Sequence, residues 1–249
     1  MNTKLEAVLE KHRATFHQVV AFDAVLDSFL LLDFTAANTE LSESLVADTE
    51  KFSAYINNIL TTNNCRFGIG GYMEIREIYK RSALFSFAVN NLPSQLTTDT
   101  SPSITVEPRS LHFGIDIWGN VGTKIFAPLG GMIHSFANNN NFGDYGATIV
   151  LQHQLDTQVF YTLYGHLSLK DIEHLRVGRF ITRGECIGHF GTAFENGNWP
   201  PHLHFQIIED MERKEGDYPG VCKVSEKEKY QRNCPDADLI LNMMALIKK

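Results

Sequence analysis

Apolar residues in the first quarter of the chain recur at helical spacing. Between Leu5 and Leu60, Val19, Val20, Phe22, Val25, Leu26, Phe29, Leu30 and Leu32 crowd one side at i, i+3 and i+4 separations, which predicts amphipathic helix. Asp33–Asn38 breaks this stretch. Leu45, Phe52, Ile56 and Leu60 continue the spacing in a second helix that Thr61–Asn64 ends. Phe67–Arg76 mixes glycines with Tyr72 and Arg76. It reads as a strand and hairpin covering the edge of the next domain, with Tyr72, Arg76 and Tyr79 as alternative lining for a groove. Leu92–Pro108, rich in Thr, Ser and Pro, reads as a linker or long surface loop.

From Arg109 the period shortens. Gly114–Trp118, Lys124–Ala127, Gly131–Phe136, Ala147–His153, Val159–Tyr164, Ile181–Phe190 and His202–Ile208 are short apolar or alternating runs separated by turn residues. Such a series predicts a compact antiparallel sandwich or barrel without βαβ alternation. Cys222–Pro235 is charged and reads as loop, and Leu239–Ile247 as a short helix closing the chain. The expected organisation is a helical region (1–62), a connecting and covering segment (63–108), a β-core (109–210) and a tail with a short helix (211–249). The fold class is α+β, its β-rich core antiparallel.

Composition narrows the function classes. The 249 residues suffice for a substantial buried core, and a hydrophobic share of 43% with 20% charged residues is that of a globular protein. A net charge of −7 lacks the basic stripe of a nucleic-acid binder and does not favour anionic surfaces. No apolar run reaches membrane-spanning length, and Met1–Glu6 does not open a leader pattern, which favours a cytoplasmic location. Cys65, Cys186, Cys222 and Cys234 show no CxxC spacing and are expected to be free thiols.

The chemistry-bearing residues lie in the β-rich part. In Pro201-His202-Leu203-His204-Phe205, alternation puts both imidazoles on one face of a strand. That placement is costly in a core and well suited to a metal. His112 and Asp116, four apart, share a face if their strand is continuous, and His204 supplies a third ligand from a distant strand. Two histidines and a carboxylate leave a fourth position open, the arrangement of a catalytic zinc. His166 and His202 then remain to move protons or stabilise an oxyanion. No HExxH helix is present.

His112-Phe113-Gly114-Ile115-Asp116, Tyr161–Ser168 and Pro201–Phe205 together resemble, in order, the three signatures of the lysostaphin-type zinc endopeptidases, most of which cleave peptide stems or cross-links of bacterial peptidoglycan. Gly122–Gly131 and the glycine-spaced Val177–Gly188 extend the resemblance across about Arg109–Ile208. It implies a duplicated-hybrid-motif, barrel-sandwich-like core with one zinc on His112, Asp116 and His204, and with His166 and His202 as the catalytic pair. The implied substrate is a peptidoglycan fragment or a glycine-rich peptide, and the family's usual compartment is the cell envelope. Relatives that act only as activators have lost ligands, and none is missing here. Four features depart from the family pattern: no visible secretion signal or anchor, a bulky Phe194–Pro200, Gln206 where glutamate is frequent, and the helical N-terminal part with the Cys222–Pro235 tail. They leave room for a second reading, a zinc-binding regulatory module masked by its N-terminal helices or by the Tyr72–Arg76 segment. His153 is expected to be a structural hydrogen-bonding histidine, and Asp144 and Tyr145 to form a turn, with rimming the cleft as the alternative.

Overall fold

The computed structural model describes residues 3–86 and 107–247, so most of the expected 92–108 linker lies outside the described residues. Its centre is an eight-stranded sheet. In chain order the strands are β1 (Phe29–Leu32), β2 (Phe67–Gly70), β3 (Arg109–His112), β4 (Ile115–Trp118), β5 (Lys124–Phe126) and β6 (Gly131–Asn139). They continue as β7 (Gly146–Leu155), β8 (Gln158–Leu167), β9 (Phe180–Ile181), β10 (Cys186–His189), β11 (His202–Ile208) and β12 (Val221–Lys223). The large sheet runs β1-β2-β4-β11-β8-β7-β6-β9, with β10-β5 and β12-β3 as separate pairs. It is an open sheet, not a closed barrel. Among the described residues, no helix is long and apolar enough to cross a membrane.

β11 lies between β4 and β8, antiparallel to both. Its alternation is used on both faces: Leu203, Phe205 and Ile207 enter the largest hydrophobic cluster, while Ile208 joins a second cluster with Leu111, Phe113 and Leu163. Ile115 and Ile117 of β4 join the same large cluster, so Asp116 and Trp118 point the other way, towards the face that carries His202 and His204. Each fully buried side chain of this kind contributes about 1.5–3 kcal/mol, and the strands that carry the site gain their rigidity from it.

The N-terminal region departs from the helical expectation. α1 (Lys4–His12) is a short helix capped by Thr3 and Glu6, and it buries Leu5 and Leu9. The chain then leaves the helix: Val20 bridges to Ile125, and Phe29–Leu32 is strand. Val25 and Leu26, expected on the buried face, are 91% and 80% exposed. They sit in a turn where Asp23 Oδ1 accepts from both of their amides. α2 (Glu43–Ala47) and α3 (Thr49–Thr62) follow, α3 burying Phe52, Ile56 and Leu60. They connect β1 to β2, which pair in parallel, so one βαβ unit is added at the edge of an otherwise antiparallel sheet. β2 in turn pairs with β4, Gly70 opposite Asp116. The covering segment is therefore part of the central sheet and not a hairpin laid over it.

The tail also differs. Cys222–Pro235, expected as loop, contains most of β12, a 3₁₀ turn and α4 (Lys227–Asn233). The closing helix is shorter than expected: α5 (Asp238–Leu241) stops at Asn242, whose φ is +55°, and a 3₁₀ turn comes after it. All four cysteines are free thiols.

Candidate metal centre and adjoining cavity

His112, Asp116 and His204 converge, although not as their spacing suggested. His112 ends β3 and Asp116 lies in β4, so the two do not share one continuous strand. The break falls at Phe113-Gly114, where a Cβ on Gly114 would stand 2.5 Å from His204 Cε1, so only glycine lets the chain pass this close to the imidazole. Register does the rest, pairing His204 directly with Asp116.

All three side chains are buried. His204 Nδ1 lies 2.9 Å from both Asp116 Oδ1 and His112 Nε2, and His112 Nε2 lies 3.3 Å from Asp116 Oδ1. The other imidazole nitrogens settle the tautomers. His112 Nδ1–H donates to Gly71 O at 3.2 Å, and His204 Nε2–H to Gln206 Oε1 at 3.0 Å. Gln206 is itself held through Nε2, which donates to Pro219 O and contacts Cys234 Sγ. The inward nitrogens therefore both carry lone pairs. Burial, and then the Arg76 charge, push the His112 pKa down to about 3, so a proton does not relieve the confrontation. Three acceptor atoms face one another with no donor between them. That is the donor set of a cation site, and ligand atoms of a tetrahedral ion with bonds of 2.0–2.1 Å stand about 3.3 Å apart.

Arg76 completes the charge balance. Its side chain is fully buried, and Nη1 lies 2.5 Å from Asp116 Oδ2 while Nε lies 2.8 Å from Glu74 Oε2. Burial alone would raise the Asp116 pKa; the cationic surroundings, with the Arg76 guanidinium in direct contact, outweigh it and hold the carboxyl well below its usual range.

His166 and His202 form a second imidazole pair, ring centroids 4.0 Å apart. Each donates Nδ1–H to a backbone carbonyl at 2.8 Å, His166 to Asn196 O and His202 to Pro200 O. Among the described residues neither Nε2 has a hydrogen-bond partner. His202 stacks on Trp118 at 3.9 Å, the two residues being cross-strand partners. His166 reaches this face by a break in β8: Tyr164 and Leu167 both enter the large core, and His166 between them has φ +64°. This sparsely populated backbone region costs of order 1–3 kcal/mol. Burial pushes the His202 pKa to about 4, and burial followed by the His202 charge takes His166 well below its ordinary value. A cavity of about 120 Å³ is lined by Asp116, His166, His202 and His204, with Tyr79 and Trp199 among its walls.

All five residues expected at the site are thus brought together. Three further side chains contribute, each from what the sequence offered only as an alternative reading. From sequence Arg76 and Tyr79 read only as alternative groove lining, and nothing in Phe67–Arg76 signals an ion pair with a residue 40 positions on. Tyr145, expected in a turn with rimming the cleft as the alternative, lines the cavity with its hydroxyl 3.4 Å from His204 Nε2 and donating to Tyr218 O. His153 sits apart, buried between Gly130 O and the Thr162 hydroxyl.

Residues 110–216 match the model of peptidase family M23. The lysostaphin-type resemblance holds over this M23 segment, which contains all five of the expected residues. An L-Ala--D-Glu endopeptidase of Bacillus subtilis (strain 168) is 23% identical over 202 residues, covering 72% of this chain and 60% of the relative. The chain thus spans less than two thirds of that protein's length. The catalytic domain of lysostaphin from Staphylococcus simulans is 27% identical, covering 48% of this chain and 80% of that one, with a TM-score of 0.34. A zinc-containing peptidase from Vibrio cholerae is 24% identical, covering 43% of this chain and 29% of that one, with a TM-score of 0.33. Arg76 lies outside the M23 segment.

Proposed function

We propose that the chain is a zinc-dependent endopeptidase acting on peptidoglycan-type or glycine-rich peptides. The observation that carries this reading is the convergence of His112 Nε2, His204 Nδ1 and Asp116 Oδ1, three lone-pair atoms within 3.3 Å of one another, at the wall of a cavity that two neutral imidazoles share. Two imidazoles and a carboxylate form a borderline-soft set, suited to zinc and poor for calcium or magnesium. Zinc held there would supply Lewis acidity, polarising a peptide carbonyl and acidifying water.

The protein's own groups would do the remaining work. With Nδ1–H committed to a carbonyl, His166 and His202 each present Nε2 as a base. One accepts a proton from the attacking water and can return it to the departing amine. Tyr145, whose pKa is raised well above its ordinary value by burial, keeps its proton and remains a donor at the cavity wall. The similarity to an L-Ala--D-Glu endopeptidase supports a peptidoglycan fragment as substrate. In the second reading, the masked module, the covering wall would be Ile78, Tyr79, Leu84 and Phe85 of the connecting segment, which line the cavity beside the metal residues.

The test is metal content together with hydrolysis of a panel of stem peptides and glycine-rich peptides, comparing the full chain with His204→Ala. One zinc per chain, with turnover lost in the variant, is expected. Zinc without turnover on any peptide would favour the masked module, and a folded, metal-replete protein without zinc would overturn the reading.

A further inference from the structure

The M23 segment contains every candidate ligand, yet the group that touches the Asp116 carboxylate most closely from behind comes from outside it. Arg76 lies just after β2, and its backbone is fixed there by donation from Arg76 N to Ser110 O and from Glu77 N to Phe34 O. The space it fills is shaped for it: a Cβ on Gly70, the cross-strand partner of Asp116, would stand 2.6 Å from Arg76 Nη2. Every limb of the guanidinium is engaged. Nε meets Glu74, Nη2 donates to Gly71 O at 3.1 Å, and Nη1 meets Asp116 Oδ2 with the Tyr79 hydroxyl at 3.4 Å. The face lies over the Phe34 ring at 5.3 Å. Gly71 O also accepts from His112 Nδ1, so one carbonyl serves both the arginine and a candidate ligand.

We propose that Arg76 is a positioning residue for the metal centre: by occupying Asp116 Oδ2 it leaves Oδ1 alone to face His112 and His204. A free carboxylate can offer both oxygens to a cation and fill the position that a catalytic site leaves open. Clamped by a planar, always-charged fork, Asp116 presents a single oxygen in a fixed direction. The two ends of the carboxylate are divided accordingly, Oδ2 to Arg76 and Oδ1 within 2.9 Å of His204. The β1–β2 unit thereby becomes part of the metal site through an outer contact. The inference rests on the proposed function, since it presumes a metal on these three residues.

A purely structural role, pinning the N-terminal segment to the sheet, would also explain a buried ion pair. The two are separated by comparing Arg76→Lys with Glu74→Gln in the full chain. Lysine keeps the charge and loses the fork, whereas Glu74→Gln weakens the anchoring of Arg76 and leaves its contact with Asp116. Zinc affinity is read by chelator competition, and ligand geometry by the visible bands of the Co²⁺-loaded protein. Arg76→Lys is expected to lose about 10–100-fold in zinc affinity, the usual cost of removing an outer partner of a metal ligand, and to shift the cobalt bands, while Glu74→Gln retains both wild-type values. Wild-type affinity and bands in Arg76→Lys, or equal changes in the two variants, would overturn the inference alone. If Arg76→Lys does not fold, Arg76→Gln is read against the same outcomes. A wild-type chain that binds neither Zn²⁺ nor Co²⁺ would overturn both the inference and the proposed function.

Discussion

The two imidazole pairs meet on one side of the sheet, His112 reaching it from the separate β12-β3 pair, and differ in where their nitrogens are spent. In the His112–His204 pair the outer nitrogens donate to Gly71 and Gln206, and the inner ones turn towards each other and Asp116. In the His166–His202 pair both Nδ1 atoms donate to backbone carbonyls while the rings lie close together. The first pair has a carboxylate with an arginine behind it, whereas the second has an indole. Residues of one type thus become a lone-pair cradle in one place and a pair of bases in the other. Which they become depends on the acceptor at each ring's far side.

The division of roles can be broken most severely at Asp116. Asp116→Ala is expected to abolish zinc retention, and in the metal-free protein to cost more stability than His112→Ala, because Arg76 is left buried without its main partner. Stranding a buried charge costs about 3–5 kcal/mol, and metal analysis with thermal unfolding measures both effects. Next in size are His166→Ala and His202→Ala, expected to keep zinc and to lose about 10²–10⁴-fold in kcat. Loss of zinc from either variant would erase the distinction between the pairs.

Acid sharpens the same contrast. The His202 pKa is lowered to about 4, so between about pH 6.5 and 4 the unfolded chain binds a proton that the folded one does not. Stability of the metal-free protein should therefore fall as pH drops through this window, by roughly 3 kcal/mol from this residue. Denaturant melts over a pH series would record it, and His202→Gln should flatten the slope. The smallest expected effect is that of Gln206→Leu. With the acceptor for His204 Nε2–H removed, zinc affinity should fall about 10-fold by chelator competition, with the bases of the second pair untouched.

Legibility in the sequence tracked the range of the interactions. The alternation in His202–Ile208 coincides with β11, because strand period is a local property. Gathering His112, Asp116, His166, His202 and His204 needed the family motifs, since strand order is not a local property. Helical spacing in Val19–Leu32 has a physical rival: four apolar residues in a row satisfy a half-buried edge strand as well as a helix, and Asp23 and Asp27 turn the chain just before them. His166 depends on a left-handed backbone that histidine does not advertise. Arg76 was the least legible, since its partners are set by the pairing of β2 with β4.

Trp118 and Trp199 are the chain's two tryptophans, and both line the cavity, Trp118 stacked on His202 and Trp199 with its ring 6.3 Å from that of His166. The tryptophan fluorescence of the protein therefore originates beside the candidate site. Peptide entry and a change in charge on the neighbouring imidazole both alter the surroundings of an indole, so the chain carries an optical probe of its own cavity without any label.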